Sequence, residues 1–139
     1  MPYRLSPRNS LLGCGFILMA LSIILVGSLL LLLQNERNRA SYPGAKAIKG
    51  QNFTSLNLER QFLRFENAYV SRDSLVAIRK WYSESFAISS YRSRTEDGET
   101  CVFLRQSVRD KPINRRVLIT ICDTASGRSI YVTSLFSRH

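Results

Sequence analysis

The stretch of residues 9–35 is dominated by apolar side chains and contains no charged residue. At a rise of about 1.5 Å per residue, roughly 20 apolar residues cross a hydrocarbon core about 30 Å thick. The run of residues 11–33, which is apolar except for Ser22 and Ser28, is longer than that. Backbone amides in lipid must be satisfied within the segment itself, so a single span must be a helix. The pattern therefore predicts one transmembrane helix over residues 9–35.

A cleaved signal peptide is the alternative for this stretch. The apolar core of a signal peptide has about 7 to 15 residues and ends at a small-residue cleavage site. Here the core is longer and ends in the leucines 29–33, so we expect the helix to be retained as an anchor. Leu11-Leu12-Gly13-Cys14 spells a lipoprotein cleavage box. Such a box should follow the apolar core, whereas this one opens it, so we expect Cys14 to be an unmodified thiol.

The polar segment 36–56 contains the turn signal Pro43-Gly44 and is predicted to be a linker. Residues 57–139 show the pattern of one small folded domain. Aromatic and β-branched residues in 61–70 predict a strand. The next apolar residues recur at spacings of three and four, as on one side of an amphipathic helix; they are Leu75, Ile78, Tyr82 and Phe86. Ser71 is the expected helix cap, with Asp73 in the first turn.

Four further strands are predicted over residues 87–94, 100–108, 115–122 and 130–136, with a turn at Glu96-Asp97-Gly98. The element order is β-α-β-β-β-β. Successive hairpins favour an antiparallel sheet, and the single helix is expected to cover one face of it. The predicted fold class is α+β, behind one N-terminal transmembrane helix.

The chain has 139 residues and a formal net charge of +10. A basic surface attracts anionic lipid head groups, acidic proteins or nucleic acids. Beyond short pairs, the basic residues form no compact run in the sequence, and a solvated basic face is the alternative left open. No fold signature of nucleic-acid binding is present, so we expect no nucleic-acid partner.

The register of one hairpin brings two cysteines together. If the loop of residues 109–114 turns between Lys111 and Pro112, paired residues have numbers that sum to the same value, and Cys101 faces Cys122. The same register places apolar residues together on one face, namely Val102, Leu104, Val117, Ile119 and Ile121. Directly opposed strand residues have Cβ atoms about 4.5 to 5.5 Å apart, close to the separation of a disulfide. Two unrelated buried thiols are the alternative.

A disulfide implies an oxidising compartment. Charges flank both sides of the span, so the positive-inside rule does not decide its orientation. With the disulfide, residues 1–8 are expected to be a cytoplasmic leader and residues 57–139 to lie outside the cytoplasm. The expected location is the bacterial cytoplasmic (inner) membrane, crossed once.

We find no pattern typical of catalysis or of cofactor binding. His139 is the sole histidine, so no histidine-based triad, zinc site or haem ligand set can form within the fold. Glu96, Asp97 and Glu99 cluster at a predicted hairpin tip, where a solvated turn is expected rather than a metal site. Paired carboxylates for acid and base catalysis cannot be placed on one surface. We therefore expect no enzyme, no metal and no cofactor.

A docking surface is the remaining kind of site. The candidate residues are basic or aromatic, and they fall on the predicted helix and on two strands; they are Arg79, Lys80, Trp81, Arg105, Arg115 and Arg116. The strand face with Phe103, Arg105 and Arg116, or an exposed edge at Trp81, is expected to take an anionic ligand or partner.

Two segments carry a resemblance. Tyr42-Pro43-Gly44-Ala45 follows the span, and Tyr69-Val70-Ser71-x-Asp73-Ser74 leads into Trp81-Tyr82. These segments resemble small single-span membrane proteins of green filamentous phototrophic bacteria. Some such proteins are accessory subunits of electron-transfer assemblies, including the quinol-oxidising alternative complex III and the photosynthetic reaction centre. No residue matches a cofactor-binding motif of those assemblies, so the resemblance implies no redox site.

The expected function is thus that of a non-catalytic accessory subunit of a larger membrane electron-transfer complex. The helix would lie beside integral membrane subunits or lipid, and the basic domain would dock on the outer face of the complex. Two alternatives stay open: a free-standing, membrane-tethered binding or sensor module for an anionic ligand, and an assembly factor that binds the same complex transiently.

Overall fold

A computed structural model describes residues 7–110 and 113–138 of the chain. The chain divides after Asn38 into two compact units. The first unit consists of most of one long helix, and the second is a folded α+β domain that begins at Arg39.

Helix α1, Pro7–Ala40, forms the first unit and the start of the second. It extends beyond the predicted residues 9–35 at both ends. At the C-terminal end the helix continues through Gln34, Glu36 and Arg37, which are residue types with high helix propensity. Among the described residues, the segment Gly15–Ala40 is the one helix long and apolar enough to cross a membrane.

The second unit contains a seven-stranded sheet and one further helix. The strands are β1 (Lys46–Ala47), β2 (Phe53–Asn57), β3 (Phe62–Ser71), β4 (Tyr91–Glu96), β5 (Glu99–Asp110), β6 (Ile113–Thr124) and β7 (Gly127–Arg138), and helix α2 is Leu75–Ser85. All pairings are antiparallel, in the order β1-β3-β7-β6-β5-β4, and β2 also pairs with β3. The predicted α+β class is confirmed.

Two strands lie where the sequence predicts a linker. β1 and β2 fall before residue 58 and pair with β3, so three strands precede α2 instead of the one expected. Neither strand shows the alternation of apolar and polar residues that marks a half-buried strand. Their strand conformation depends on the backbone groups that β3 offers along its outer edge.

Helix α2 begins later than predicted. Its N-cap is Ser74, whose side chain accepts a hydrogen bond from the amide of Ala77 at 3.2 Å. Ser71, the predicted cap, still belongs to β3 and pairs with Arg128 of β7. Asp73 precedes the helix and accepts a hydrogen bond from the Tyr42 hydroxyl at 2.7 Å. The prediction that Ser71 caps the helix and that Asp73 lies in its first turn is therefore wrong.

The core lies between α2 and one face of the sheet. Ile78, Tyr82 and Phe86, from the predicted helical stripe, are fully buried. They pack on the apolar residues that the hairpin register places on one face, which are Val102, Leu104, Val117, Ile119 and Ile121. Ile130 and Val132 of β7 extend this surface. Within the described residues of the second unit, the other face of the sheet carries no helix.

The first residues of the second unit are fixed to this core. Ala40 and Tyr42 are buried, and the hydroxyl group of Tyr82 donates a hydrogen bond to the Ala40 carbonyl at 2.6 Å. The ring of Tyr42 meets Trp81 edge-on with centroids 5.4 Å apart. The folded domain therefore starts within the last residues of α1.

Candidate docking site

The candidate site is the sheet face that points away from α2. Side chains alternate along a strand, so the burial of Val102 and Leu104 against α2 turns Cys101, Phe103 and Arg105 to the opposite face. On β6 the same alternation turns Arg116 and Leu118 to that opposite face. We call this surface the open face.

A disulfide lies on the open face. Cys101 of β5 and Cys122 of β6 are directly opposed in the register, and their sulfur atoms are bonded. The whole β5–β6 register agrees with the predicted turn between Lys111 and Pro112, although these two residues lie outside the described part of the chain. The predicted pairing of the two cysteines is confirmed, and the alternative of two unrelated thiols is wrong.

Three arginines cross the open face in a diagonal row. Arg92 on β4 is opposite Phe103, so it is the diagonal neighbour of Arg105 on β5. Arg105 is opposite Leu118, so it is the diagonal neighbour of Arg116 on β6. Diagonal neighbours across strands are about 7 to 8 Å apart, within reach of long side chains. We call Arg92, Arg105 and Arg116 the arginine row.

The arginine row borders an open groove of about 1030 Å³. Phe103 and Leu118 provide its apolar floor, and the other lining residues are polar or basic: Ser90, Tyr91, Arg92, Ser93, Arg94, Arg105, Ser107, Arg109 and Arg116. No carboxylate of the described residues lies within salt-bridge distance of the arginine row. Arg94, at the end of the groove, contacts Glu96 at 3.2 Å. The groove thus combines concentrated positive charge with a half-buried aromatic ring.

The structure divides the predicted docking residues between two faces. Arg105 and Arg116 are exposed and lie together on the open face. Arg115, although adjacent to Arg116 in sequence, points to the opposite face, because neighbouring residues of a strand alternate. Its guanidinium lies over the rings of Phe86 and Phe136, at 5.9 and 5.4 Å from their centroids.

The three predicted residues of α2 lie apart from the open face. The guanidinium of Arg79 lies 4.3 Å from the ring centroid of Tyr91. Lys80 approaches Glu84 one turn later at 3.9 Å. Trp81 is half-buried and packs edge-on against the rings of Tyr42 and Tyr82, so the expected exposed tryptophan edge is a part of the core margin.

Arg92 and Arg94 are site residues that were not predicted from the sequence. Both lie on β4, whose six residues are all exposed. The alternation Arg92-Ser93-Arg94 was a usable signal, since it places both arginines on one face of any strand. What placed that face beside Arg105 was the pairing of β4 with β5.

The carboxylates at the β4–β5 turn do not form a ligand set. Glu96 contacts Arg94, and Asp97 and Gly98 occupy the two turn positions with positive φ angles of 52° and 80°. No group of three or more potential metal-binding side chains occurs among the described residues. The predicted turn at Glu96-Asp97-Gly98 is confirmed; His139 lies outside the described residues.

Two tyrosines have perturbed acidity, and both belong to the core at the start of the second unit. The hydrogen bond to Asp73 raises the pKa of Tyr42 above its ordinary value of 10.0, with burial and the negative charge of Asp73 acting in the same direction. Burial raises the pKa of Tyr82. Both hydroxyl groups stay protonated at neutral pH and donate structural hydrogen bonds.

The open face therefore offers groups that attract and orient anions: planar guanidinium groups that bind carboxylates in pairs of hydrogen bonds, beside an aromatic surface. Comparison with known proteins adds no identification, since no protein-family model and no curated protein matches the chain.

Proposed function

We propose that this chain is a non-catalytic accessory subunit of a larger membrane complex. In this proposal α1 anchors the chain in the bilayer, and the open face docks on an acidic surface of another subunit. The single observation that carries the proposal is the arginine row, whose three guanidinium groups converge on one groove without a described carboxylate in salt-bridge distance. A row of like charges is unfavourable in isolation, and an acidic partner relieves the repulsion.

The electron-transfer character of the complex rests on the resemblance of Tyr42-Pro43-Gly44-Ala45 and the segment around Trp81 to single-span proteins of phototrophic bacteria. The partners are then integral membrane subunits of an assembly such as alternative complex III or a reaction-centre complex. In such a complex the cofactors belong to those other subunits.

We further propose the bacterial cytoplasmic membrane as the location, with the N-terminus inside and the second unit outside. The disulfide between Cys101 and Cys122 supports this orientation, since disulfides persist in oxidising compartments and are reduced in the cytoplasm. The docking partner would then present its acidic surface on the outer side of the membrane.

The test is native electrophoresis of membranes solubilised in mild detergent, with mass spectrometry of every protein that migrates with this chain. The decisive variant is Arg105→Glu combined with Arg116→Glu, which leaves the buried core unaltered. The groove is lined by five arginines and no acidic residue, so the variant lowers the formal charge of its lining from +5 to +1. We expect the wild-type chain to migrate with larger membrane subunits and the double variant to migrate alone.

The matched control is Arg60→Glu combined with Arg72→Glu. Both residues are exposed and do not line the groove, so the control has the same net charge as the double variant. Equal loss of co-migration in both variants would indicate a non-specific charge effect. A wild-type chain that migrates alone near its 15.9 kDa mass plus detergent contradicts the accessory role.

A free-standing binding module is the second candidate, and the size of the groove favours it. A volume of about 1030 Å³ is enough for a small organic anion. Thermal unfolding of the full chain with phosphate, citrate or a dicarboxylate as probe separates the two functions. A ligand at a hundred times its dissociation constant stabilises the fold by about 2.7 kcal/mol, whereas a subunit without its complex gives no such response.

A further inference from the structure

Strand β4 forms one edge of the sheet. It pairs with β5 on one side, and no described strand pairs with its other side. All six residues of β4 are exposed. An unpaired strand edge presents a row of free backbone amide and carbonyl groups, which is the usual template for binding an extended segment of another chain.

The register fixes which backbone groups are free. Asp97 and Gly98 form a two-residue turn, so the flanking residues Glu96 and Glu99 exchange both of their backbone hydrogen bonds. In an antiparallel pair, hydrogen-bonded and non-hydrogen-bonded residue pairs alternate. Glu96, Arg94 and Arg92 therefore bond to β5 through their backbone groups. The backbone groups of the residues between them, Thr95 and Ser93, and of Tyr91 point away from β5.

Two of the three open-face side chains along this edge are cationic, and the third, Glu96 at the turn, contacts Arg94 at 3.2 Å. Arg92 and Arg94 share that face, and Arg105 lies behind them on β5. A residue of an added strand directly opposite Arg92 or Arg94 would have its Cβ atom about 4.5 to 5.5 Å away. Carboxylates at every second position of that strand would therefore meet both arginines.

A second copy of the chain that pairs about Ser93, in the middle of β4, is a poor occupant of the edge. Antiparallel pairing of two β4 strands about Ser93 places Arg92 of one copy opposite Arg94 of the other. Like charges directly opposite each other on paired strands are destabilising. Exposed positive charge on an edge strand is also a general means by which proteins suppress self-association.

The opposite edge of the sheet has different chemistry. It consists of β1, which carries the exposed Lys46, and β2, whose residues are uncharged, with Phe53 and Leu56 exposed. That edge has a single cation and no pair of arginines on one face with which to select an acidic segment. The chemistry of the two edges thus distinguishes β4 as the one suited to an anionic strand.

We propose that β4 accepts an extended acidic segment of a protein partner, with acidic residues at alternate positions, as an additional antiparallel strand. The partner's backbone bonds to Tyr91, Ser93 and Thr95, and its carboxylates bind Arg92, Arg94 and, through longer side chains, Arg105. This inference rests on the proposed docking role of the open face and specifies the form of the partner.

The first experiment uses the full chain in nanodiscs of neutral lipid and three labelled peptides of equal net charge. One peptide alternates Glu with Val; the second has the same composition with its Glu residues consecutive; the third is the alternating peptide with N-methyl groups on the amides that would bond to β4. We expect the alternating peptide to bind at least about tenfold more tightly than either of the others, since each lost hydrogen bond or charge pair costs about that factor.

The second experiment changes the strand edge. Ser93→Pro removes an outward amide that β5 does not use, and Ser93→Ala is the matched control. We expect Ser93→Pro to weaken binding of the alternating peptide about tenfold and Ser93→Ala to leave it unchanged. Thermal unfolding of both variants checks that the domain is folded. In hydrogen exchange of the wild-type chain, the peptide should protect the amides of Ser93 and Thr95 and leave Arg94 unaffected.

The outcomes separate this inference from the proposed function. Equal binding of all three peptides, with no protection of Ser93 and Thr95, overturns strand addition while the open face remains an anion-binding surface. If no peptide binds and Arg105→Glu with Arg116→Glu does not disturb co-migration, the docking role fails as well. Dimers of the chain would also overturn the acidic protein segment as the occupant. So would peptide binding that is absent in nanodiscs of neutral lipid and occurs only when phosphatidylserine is added to them.

Discussion

The hydroxyl group of Tyr82 donates a 2.6 Å hydrogen bond to the carbonyl of Ala40, which lies 42 residues earlier in the chain. Both residues are buried, at 0% and 2% exposure. The bond satisfies a carbonyl at the C-terminal end of α1, where four carbonyls lack partners within the helix. It thereby fixes the start of the folded domain to α2.

Replacing Tyr82 with Phe is expected to lower the free energy of unfolding by about 1 to 3 kcal/mol, because the Ala40 carbonyl remains buried without its donor. Chemical denaturation followed by the fluorescence of Trp81, whose ring centroid lies 4.8 Å from that of Tyr82, measures the change. Tyr131→Phe is the control, since the Tyr131 side chain is exposed; a surface change of this kind shifts stability by at most about 0.5 kcal/mol.

The stability of the domain is expected to fall at alkaline pH. Tyr42 has a raised pKa in the folded state, so its contribution is fully present below the unfolded value of 10.0 and is lost as pH rises through the folded value. Unfolding free energies measured from pH 8 to 12 for the wild type and for Tyr42→Phe isolate this contribution. The wild type should lose stability more steeply above pH 10 than the variant; parallel curves would show that the Tyr42–Asp73 bond makes no such contribution.

Loss of the disulfide is expected to destabilise the domain. Cys101 and Cys122 are 21 residues apart, and closing a loop of that length contributes about 3 kcal/mol in the chain-entropy model. Cys101→Ser combined with Cys122→Ser should reduce the free energy of unfolding by that amount. Chemical reduction of the wild type should give the same loss, which excludes an effect of the serines themselves.

The same cysteines report the orientation of the span. In cells that express the Cys14→Ala variant, a membrane-permeant thiol reagent should not label this chain until a reductant is added. Labelling of Cys101 and Cys122 without a reductant would place the second unit in a reducing compartment and contradict the proposed orientation. Cys101→Ser alone is the positive control, since it leaves Cys122 as a free thiol.

Gly127, at the β6–β7 turn, is expected to tolerate no side chain. Its φ angle is 134°, and a Cβ atom there would lie 2.9 Å from the carbonyl oxygen of Ser71. Gly127→Ala should cost about 3 kcal/mol of stability through combined backbone strain and overlap. Gly98→Ala is the matched control, because Gly98 also has a positive φ angle but open space around it; its expected cost is about 1 kcal/mol. Thermal unfolding of the two variants tests the order.

Some features of this protein followed from the sequence alone, because they depend on local periodicity. The long apolar run specified α1, the spacing of Ile78, Tyr82 and Phe86 specified the buried side of α2, and the β5–β6 register specified the disulfide. The register of a hairpin can be predicted from the sequence because its turn fixes which residues are opposed. The alternation of side chains along each strand then assigns every side chain to one face of the sheet.

The tertiary structure alone decided the features that depend on contacts between distant segments. β1 and β2 exist through pairing with β3, and Ser74 caps α2 since Ser71 is held by β7. The arginine row forms only because β4, β5 and β6 pair in the observed registers. The alternation of side chains along β6 turns Arg116 to the groove and Arg115 to the core. Such neighbours arise from strand order and pairing, which no local pattern encodes.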